Sequence, residues 1–286
     1  MRVTDIIGAD RPSLSFEVFP PKTTDAFESV MSAAAGIAAL EPSYMSVTYG
    51  AGGSTAGFTA EVAERIKKLG VTPVAHLSCI GASRESITDR LTVLREKGIE
   101  NVLALRGDLP AGSADALRDY RYASDLASEI RAFGGFCVGG ACYPEKHPES
   151  KTGADDIESL RIKVEAGCEY LTTQMFFDNS ILYNFMYRLL KAGVEVPVVA
   201  GIMPVVNPKS IKRICAISGT SLPQRFLRIV DRYGDEPESM KQAGIAFATE
   251  QIIDLYANGF NAVHVYSMNR PDVAAAIKSN ISEIIK

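Results

Sequence analysis

The sequence predicts an α/β protein, a (β/α)8 TIM barrel with extra helices between its seventh and eighth strands. Three observations carry that expectation. Short runs rich in Val, Ile, Leu, Phe and Ala recur along the chain and are apolar at both odd and even positions, as strands covered on both faces are. Longer amphipathic runs alternate with them, and most of these end on a glycine. Hydrogen-bonding and titratable residues fall at nearly every strand exit, the end where a barrel of this kind does its chemistry.

The strand-like runs lie near 14–19, 43–48, 72–78, 100–105, 136–141, 169–173, 197–202 and 260–266. The first helix is predicted over 24–40, with Thr24 or Asp25 as its N-cap. Helices over 56–69, 84–97, 119–133, 154–166 and 179–192 stop at Gly70, Gly98, Gly134-Gly135, Gly167 and Gly193. Two helices, at about 208–218 and 238–258, separate the last two strands, with a loop over 231–237. A helix over 271–285 closes the chain. Without a composition shift, linker or low-complexity tract, 1–286 reads as one domain. The alternative is an open doubly wound sheet. It wants a Gly-rich fingerprint after its first strand, where this chain has Pro20-Pro21-Lys22.

With 286 residues, 47% of them hydrophobic, a sizeable core is available. A net charge of −4 without a polybasic run argues against nucleic acid or an anionic membrane as partner. No run approaches the roughly 18 apolar residues of a membrane span. The N-terminus lacks an apolar core and carries Asp5 and Asp10, unlike a secretory signal, so a cytoplasmic protein is expected. The five cysteines form no CxxC and read as small buried filler in a reducing compartment. His76, His147 and His264 are too scattered for a metal site, and none is expected.

The strand exits supply the candidate site. Glu17 stands between Phe16 and Val18, where burial would raise its pKa and make it a proton donor near neutrality; a strand-end Glu facing solvent is the other reading. Gly50-Ala51-Gly52-Gly53-Ser54 is either a close backbone approach to a ligand or a flexible turn. His76 fits a satisfied core histidine or a site residue. Arg106 and Asp108, flanking Gly107, fit a structural ion pair or a pair serving a ligand. Gln174, before Phe176-Phe177, suits a flat heterocycle or a core hydrogen bond. Asp156 and Lys163 share one helix face, which is equally a solvated one. Tyr143, His147, Met203-Pro204, Tyr266 and Arg270 complete the set. Their convergence argues for a polar ligand site at one mouth of the barrel.

Taken together, several strings resemble methylenetetrahydrofolate reductases. They are Ser15-Phe16-Glu17-Val18-Phe19-Pro20-Pro21, Ser46-Val47-Thr48-Tyr49-Gly50-Ala51, Leu103-Ala104-Leu105-Arg106-Gly107-Asp108-Leu109-Pro110, Tyr122-Ala123-Ser124-Asp125-Leu126, Tyr143-Pro144-Glu145-Lys146-His147-Pro148-Glu149, Thr173-Gln174-Met175-Phe176-Phe177-Asp178 and His264-Val265-Tyr266-Ser267-Met268-Asn269-Arg270. The resemblance spans nearly the whole chain. It implies a flavin-binding catalytic barrel that reduces 5,10-methylenetetrahydrofolate to 5-methyltetrahydrofolate in one-carbon metabolism and methionine biosynthesis. It also implies ping-pong hydride transfer from NADH or NADPH through FAD, and a homo-oligomer.

Carried over residue by residue, the resemblance makes Glu17 the proton donor and Asp108 the carboxylate that steadies the cationic intermediate. It gives Gln174 and Arg270, with Glu17, to the folate. For FAD it implies Tyr49, Ala51, His76, Arg106, Gly107, Asp108, Ala123, Tyr143, His147, Asp156, Ser159 and Lys163, with Thr48 close to the nicotinamide side. Arg106, His147 and Lys163 are the cations suited to a pyrophosphate. The chain departs from the family pattern at Ile162, where an Arg would precede Lys163, and at Ser159, where Asn is frequent. A C-terminal regulatory domain answering to S-adenosylmethionine is not expected. Two other classes compete: a pterin-binding barrel methyltransferase without flavin, and a non-catalytic barrel kept as an interaction module.

Overall fold

Eight parallel strands pair in sequence order and close on themselves, β1 (Ser13–Val18), β2 (Met45–Val47), β3 (Pro73–Ser78), β4 (Asn101–Leu105), β5 (Cys137–Cys142), β6 (Tyr170–Thr173), β7 (Val198–Ile202) and β8 (Ala262–Val265). The computed structural model describes residues 1–50, 56–107 and 119–286. The register brings Glu17 opposite Ser46 on one side of β1 and Ser15 opposite His264 on the other. Alternation along β1 then sorts its residues. Phe16 and Val18 join the apolar layer between strands and helices, while Ser15 and Glu17 take the barrel interior.

Among the described residues α1 (Val3–Ile7) covers the amino-terminal opening of the barrel, and the other helices are α2 (Phe27–Ala38), α3 (Ala56–Lys68), α4 (Arg84–Glu96), α5 (Ala123–Phe133), α6 (Gly153–Glu165), α7 (Asn179–Lys191), α8 (Pro208–Ser218), α9 (Gln224–Tyr233), α10 (Pro237–Ala257) and α11 (Pro271–Asn280). Their starts follow local chemistry. Ser83 and Ser86 cap α4 reciprocally, Thr152 accepts from Asp155 N at α6, and Asp178 accepts from Ser180 N at α7. Gly134 ends α5 at φ +79°, a conformation that a residue bearing Cβ adopts at a cost.

The structure corrects several predicted elements. Neither Thr24 nor Asp25 caps a helix; Thr24–Ala26 is a single 3-10 turn, and α2 proper begins at Phe27 without a side-chain cap. α5 begins at Ala123 rather than 119, because Asp125 Oδ2 accepts from the N–H groups of Arg121 (2.8 Å) and Tyr122 (2.9 Å) and turns the chain first. α11 ends at Asn280, short of 285. Two helices had not been predicted. α1 is only five residues long, below the reach of periodicity. α9 lies partly in the stretch read as a loop; its Phe226, buried with Val230, meets Phe177 at 5.4 Å and Phe247 at 4.7 Å between ring centroids. No helix of the described residues is long and apolar enough to cross a membrane. All five cysteines are buried and unpaired, in keeping with their reading as filler.

Candidate functional site

At the carboxyl ends of the strands the barrel opens into a cavity of about 470 Å³ whose lining includes Glu17, His76, Tyr143, Gln174, His264 and Tyr266. A second hollow of about 330 Å³, reached by Tyr49, Arg106, Gly107, Ala123, His147 and Lys163, shares Leu105, Ala141 and Tyr143 with the first. Residues dispersed from 17 to 268 therefore border two adjoining hollows.

Glu17 is 7% exposed, and burial raises its carboxyl from the ordinary carboxylate range to about 8. The nearest cation candidate is His76, whose Nε2 lies 3.8 Å from Glu17 Oε2, too far for a hydrogen bond. Burial lowers His76 to about 3, so at neutral pH the two face each other as a protonated carboxylic acid and a neutral imidazole, not as an ion pair. The described residues give the Glu17 carboxyl no hydrogen bond, while its backbone oxygen accepts from Ser267 Oγ at 2.8 Å. A neutral acid with a free O–H beside a cavity is a proton donor in waiting.

Beneath it lies a polar layer. Ser15 Oγ donates to Val263 O at 3.0 Å, so its lone pairs accept from His264 Nδ1 at 2.7 Å. That assignment leaves Nε2 to accept from Ser46 Oγ at 2.9 Å, and burial lowers His264 to about 3. His264 stacks on Tyr44 and meets the Tyr266 ring edge-on, each at 5.6 Å. Tyr266 donates its hydroxyl to Thr173 O, and burial, then the neighbouring Glu17, raises its pKa. A Cβ at Gly201 would sit 2.5 Å from that hydroxyl, so β7 needs glycine there.

The second hollow carries the basic side chains. Arg106 forms a two-pronged pair with Glu149 (Nη1 to Oε2 2.5 Å, Nη2 to Oε1 2.6 Å), which holds the Glu149 carboxyl below its usual range. Lys163 donates to Ala141 O at 2.5 Å, and burial lowers its pKa. His147 packs edge-on to Tyr143 at 4.6 Å, its pKa lowered by burial. Asp156 is buried and accepts from Ser150 Oγ at 2.9 Å without lining either hollow. Tyr49 borders this hollow, and its buried hydroxyl has no hydrogen-bond partner among the described residues. Gly107 has φ +91°, and a Cβ on it would lie 2.2 Å from Ser78 Oγ and 2.7 Å from Ile80 Cγ2.

Other predicted site residues stand further off. Gln174 lines the first cavity; its Oε1 accepts from Met175 N at 2.9 Å and its Nε2 has no partner among the described residues. Arg270 is exposed beyond β8 and pairs with Asp272 through Nε (3.1 Å) and Nη2 (2.9 Å). Thr48 is half-buried, its carbonyl accepting from Thr59 Oγ1 at 2.9 Å, and lines neither hollow. Ser159 is exposed and donates back to Asp155 O at 2.8 Å, away from both. Ala51 and Asp108 lie outside the described residues. Sequence reading gave no role to Ser15, Ser46, Tyr44, His264 or Glu149. The alternation that sends Glu17 inward sends Ser15 inward too, so that one was within reach of a period-2 reading.

A family model described as Methylenetetrahydrofolate reductase matches residues 2–282. The chain is 35% identical over 270 residues to a 5,10-methylenetetrahydrofolate reductase of Pectobacterium carotovorum, covering 93% of this chain and 89% of that one. It is 33% identical over 266 residues, with the same coverages, to the enzyme of that description from Escherichia coli K12. Against methylenetetrahydrofolate reductase (NADH) 1 of Zea mays it is 34% identical over 298 residues, 99% of this chain but 50% of that protein. A solved structure of a Clostridium thermocellum protein, described as binding two copies of 5-methyl-5,6,7,8-tetrahydrofolic acid, superposes with a TM-score of 0.71 over 99% of each chain; at 13% identity it speaks for the fold alone.

Proposed function

The chain belongs to the methylenetetrahydrofolate reductase family, oxidoreductases that reduce methylenetetrahydrofolate, and from that premise we propose that it does so with a bound FAD reduced by NADH or NADPH, in two alternating half-reactions. The residues fit such a cofactor. The Tyr49 hydroxyl, without a partner among the described residues, the tight glycine turn at Gly107 and the basic side chains of Arg106, His147 and Lys163 suit a flat ring joined to phosphates. When bound, the flavin would supply hydride; the chain's own residues do the rest.

The observation that carries the reading is the buried Glu17 carboxyl in the cavity lining, which burial raises to about 8 and so keeps protonated at neutral pH. The methylene bridge of the folate accepts hydride poorly until one C–N bond opens. Glu17 gives its proton to the departing nitrogen, the bond's electron pair stays on that nitrogen, and the remaining carbon becomes an iminium cation. General-acid assistance of this kind accounts for roughly 10²–10⁴ in rate. Asp108, directly after Gly107 in sequence, is the proposed carboxylate for that cation. Gln174 orients the pterin, and Arg270 would exchange Asp272 for the glutamate carboxylates of the folate. His76, in the lining of the first cavity, is the proposed residue of the flavin side, and Thr48, which lines neither hollow, that of the nicotinamide side.

The purified protein is expected to be yellow, to bleach anaerobically with NADH, and to recover colour when methylenetetrahydrofolate is added. A colourless preparation that takes up no flavin and oxidises no NADH would return the reading to a flavin-free pterin methyltransferase or a non-catalytic barrel.

A further inference from the structure

Glu149 has no role in the chemistry above, yet it engages Arg106 and the neutral His147 ring at the second hollow. Its carboxylate takes Nη1 and Nη2 of Arg106, and its backbone N–H donates to His147 Nδ1 at 3.1 Å. Arg106 spends a further donor, Nε, on Gly107 O at 3.2 Å. A guanidinium has five N–H groups, so three are committed to these two partners. A phosphate oxygen approaching Arg106 in the usual two-pronged manner would meet a carboxylate already holding the same edge.

The two partners differ in their freedom. The Arg106 side chain is 18% exposed and the Glu149 side chain 54%, so the carboxylate can swing into water while the guanidinium stays. The loop that carries Glu149 is also strained. Lys146 sits at φ +113°, held there by its own N–H on Tyr143 O (3.2 Å) and by its ammonium on the carbonyls of His147 (3.0 Å) and Ser150. One end of this loop, Tyr143, faces both hollows, and the other is the exposed carboxylate.

We propose that Glu149 is an internal counter-ion that competes with phosphate groups for Arg106 and so lowers the affinity of the second hollow for a pyrophosphate-bearing ligand. This rests on the reading that the hollow receives FAD. With no ligand, Glu149 holds the guanidinium in place; on binding, the carboxylate yields to the phosphate and turns to solvent. Glu149 is a positioning residue and touches no reacting atom.

The test is equilibrium titration of flavin-free protein with FAD, followed by flavin fluorescence at low and high salt, with inorganic pyrophosphate as a second probe. Glu149→Gln should bind FAD and pyrophosphate about threefold to tenfold more tightly than the parent, with the gain shrinking at high salt. Glu149→Ala should change affinity in the same direction, and Glu149→Asp, which keeps the charge, should stay near the parent. A purely structural Glu149 would instead loosen FAD in the Gln and Ala variants by releasing Arg106. Equal or weaker binding in both variants, at an unchanged melting temperature, overturns the proposal. If FAD fails to bind but pyrophosphate binds the Gln variant more tightly, the counter-ion stands and the FAD reading falls. If neither probe binds any of the proteins, both fall.

Discussion

The two ends of this barrel solve opposite problems. At the amino-terminal end, α1 plugs the opening: Val3 and Ile7 are buried against Tyr44, Val74, Leu103, Cys137 and Tyr170. The polar groups there are answered internally. Asn101 Oδ1 accepts from Val3 N at 2.8 Å, and its Nδ2 donates to Met1 O (3.1 Å) and Pro73 O (3.2 Å). Arg2 lies against both oxygens of Glu169 at 2.6 and 2.7 Å. At the carboxyl-terminal end, the Glu17 carboxyl, raised to about 8 by burial, and the Tyr49 hydroxyl have no hydrogen-bond partner among the described residues, and Lys146, Met268 and Asn269 take positive φ. One end is complete without a ligand and the other is not. Positive φ is not confined to that end, since Glu41 ahead of β2 takes φ +49°; the contrast rests on the polar groups left without partners among the described residues.

The largest test of that contrast is Glu17→Gln. It keeps the shape and removes the titrating proton, so folate reduction should fall by roughly 10²–10⁴ while flavin reduction by NADH barely changes. Stopped-flow of each half-reaction separates the two, and an equal loss in both would remove the proton-donor role. The matching change at the other end is Asn101→Ala. It strands the Val3 N–H and two carbonyls and should destabilise the protein by about 1–3 kcal/mol in urea, with turnover per folded molecule unchanged. A variant that melted normally but lost turnover would erase the division between the ends.

A third test uses pH. Glu17 keeps its proton up to about 8 when folded but only to 4.5 when unfolded, so the unfolded chain binds fewer protons across that window and stability falls as pH rises through it. His76 and His264, lowered from 6.5 to about 3, act oppositely, their contribution rising with pH until 6.5. Above 6.5 the Glu17 decline is no longer offset by them. The difference in unfolding free energy between parent and Glu17→Gln should therefore change by about 2 kcal/mol between pH 6.5 and 8, against the parent. A difference flat across that interval would contradict it. The smallest expected effect is Tyr49→Phe. Because the hydroxyl has no partner among the described residues, flavin-free stability should hold or rise by up to about 1 kcal/mol, while FAD binds several-fold more weakly. A clear loss of flavin-free stability would show that the hydroxyl is structural.

Much of the barrel was legible because both-face burial and glycine stops are written at single-residue resolution. β1 and β3 could be read from Phe16-Glu17-Val18 and Val74-Ala75-His76 almost to their ends. What escaped was short or set by distant parts of the chain. α1 is too brief to show a period, and the start of α5 depends on Asp125 capturing two backbone N–H groups behind it. The site divides the same way. Glu17 announced itself as a carboxylate in an apolar strand. The Ser15–His264–Ser46 chain needs β8 beside β1, and Arg106 meets Glu149 from 43 residues away. Such pairings follow from register and closure, which no local pattern contains.

The protonation state of one side chain tests the account most directly. Protein carrying glutamate labelled with ¹³C at the side-chain carboxyl can be titrated by NMR, with Glu17→Gln identifying the resonance. The account predicts one carboxyl that stays protonated through neutrality and titrates near pH 8. A Glu17 resonance already ionised at pH 6 would contradict it, because the barrel mouth would then hold a carboxylate with no proton to give.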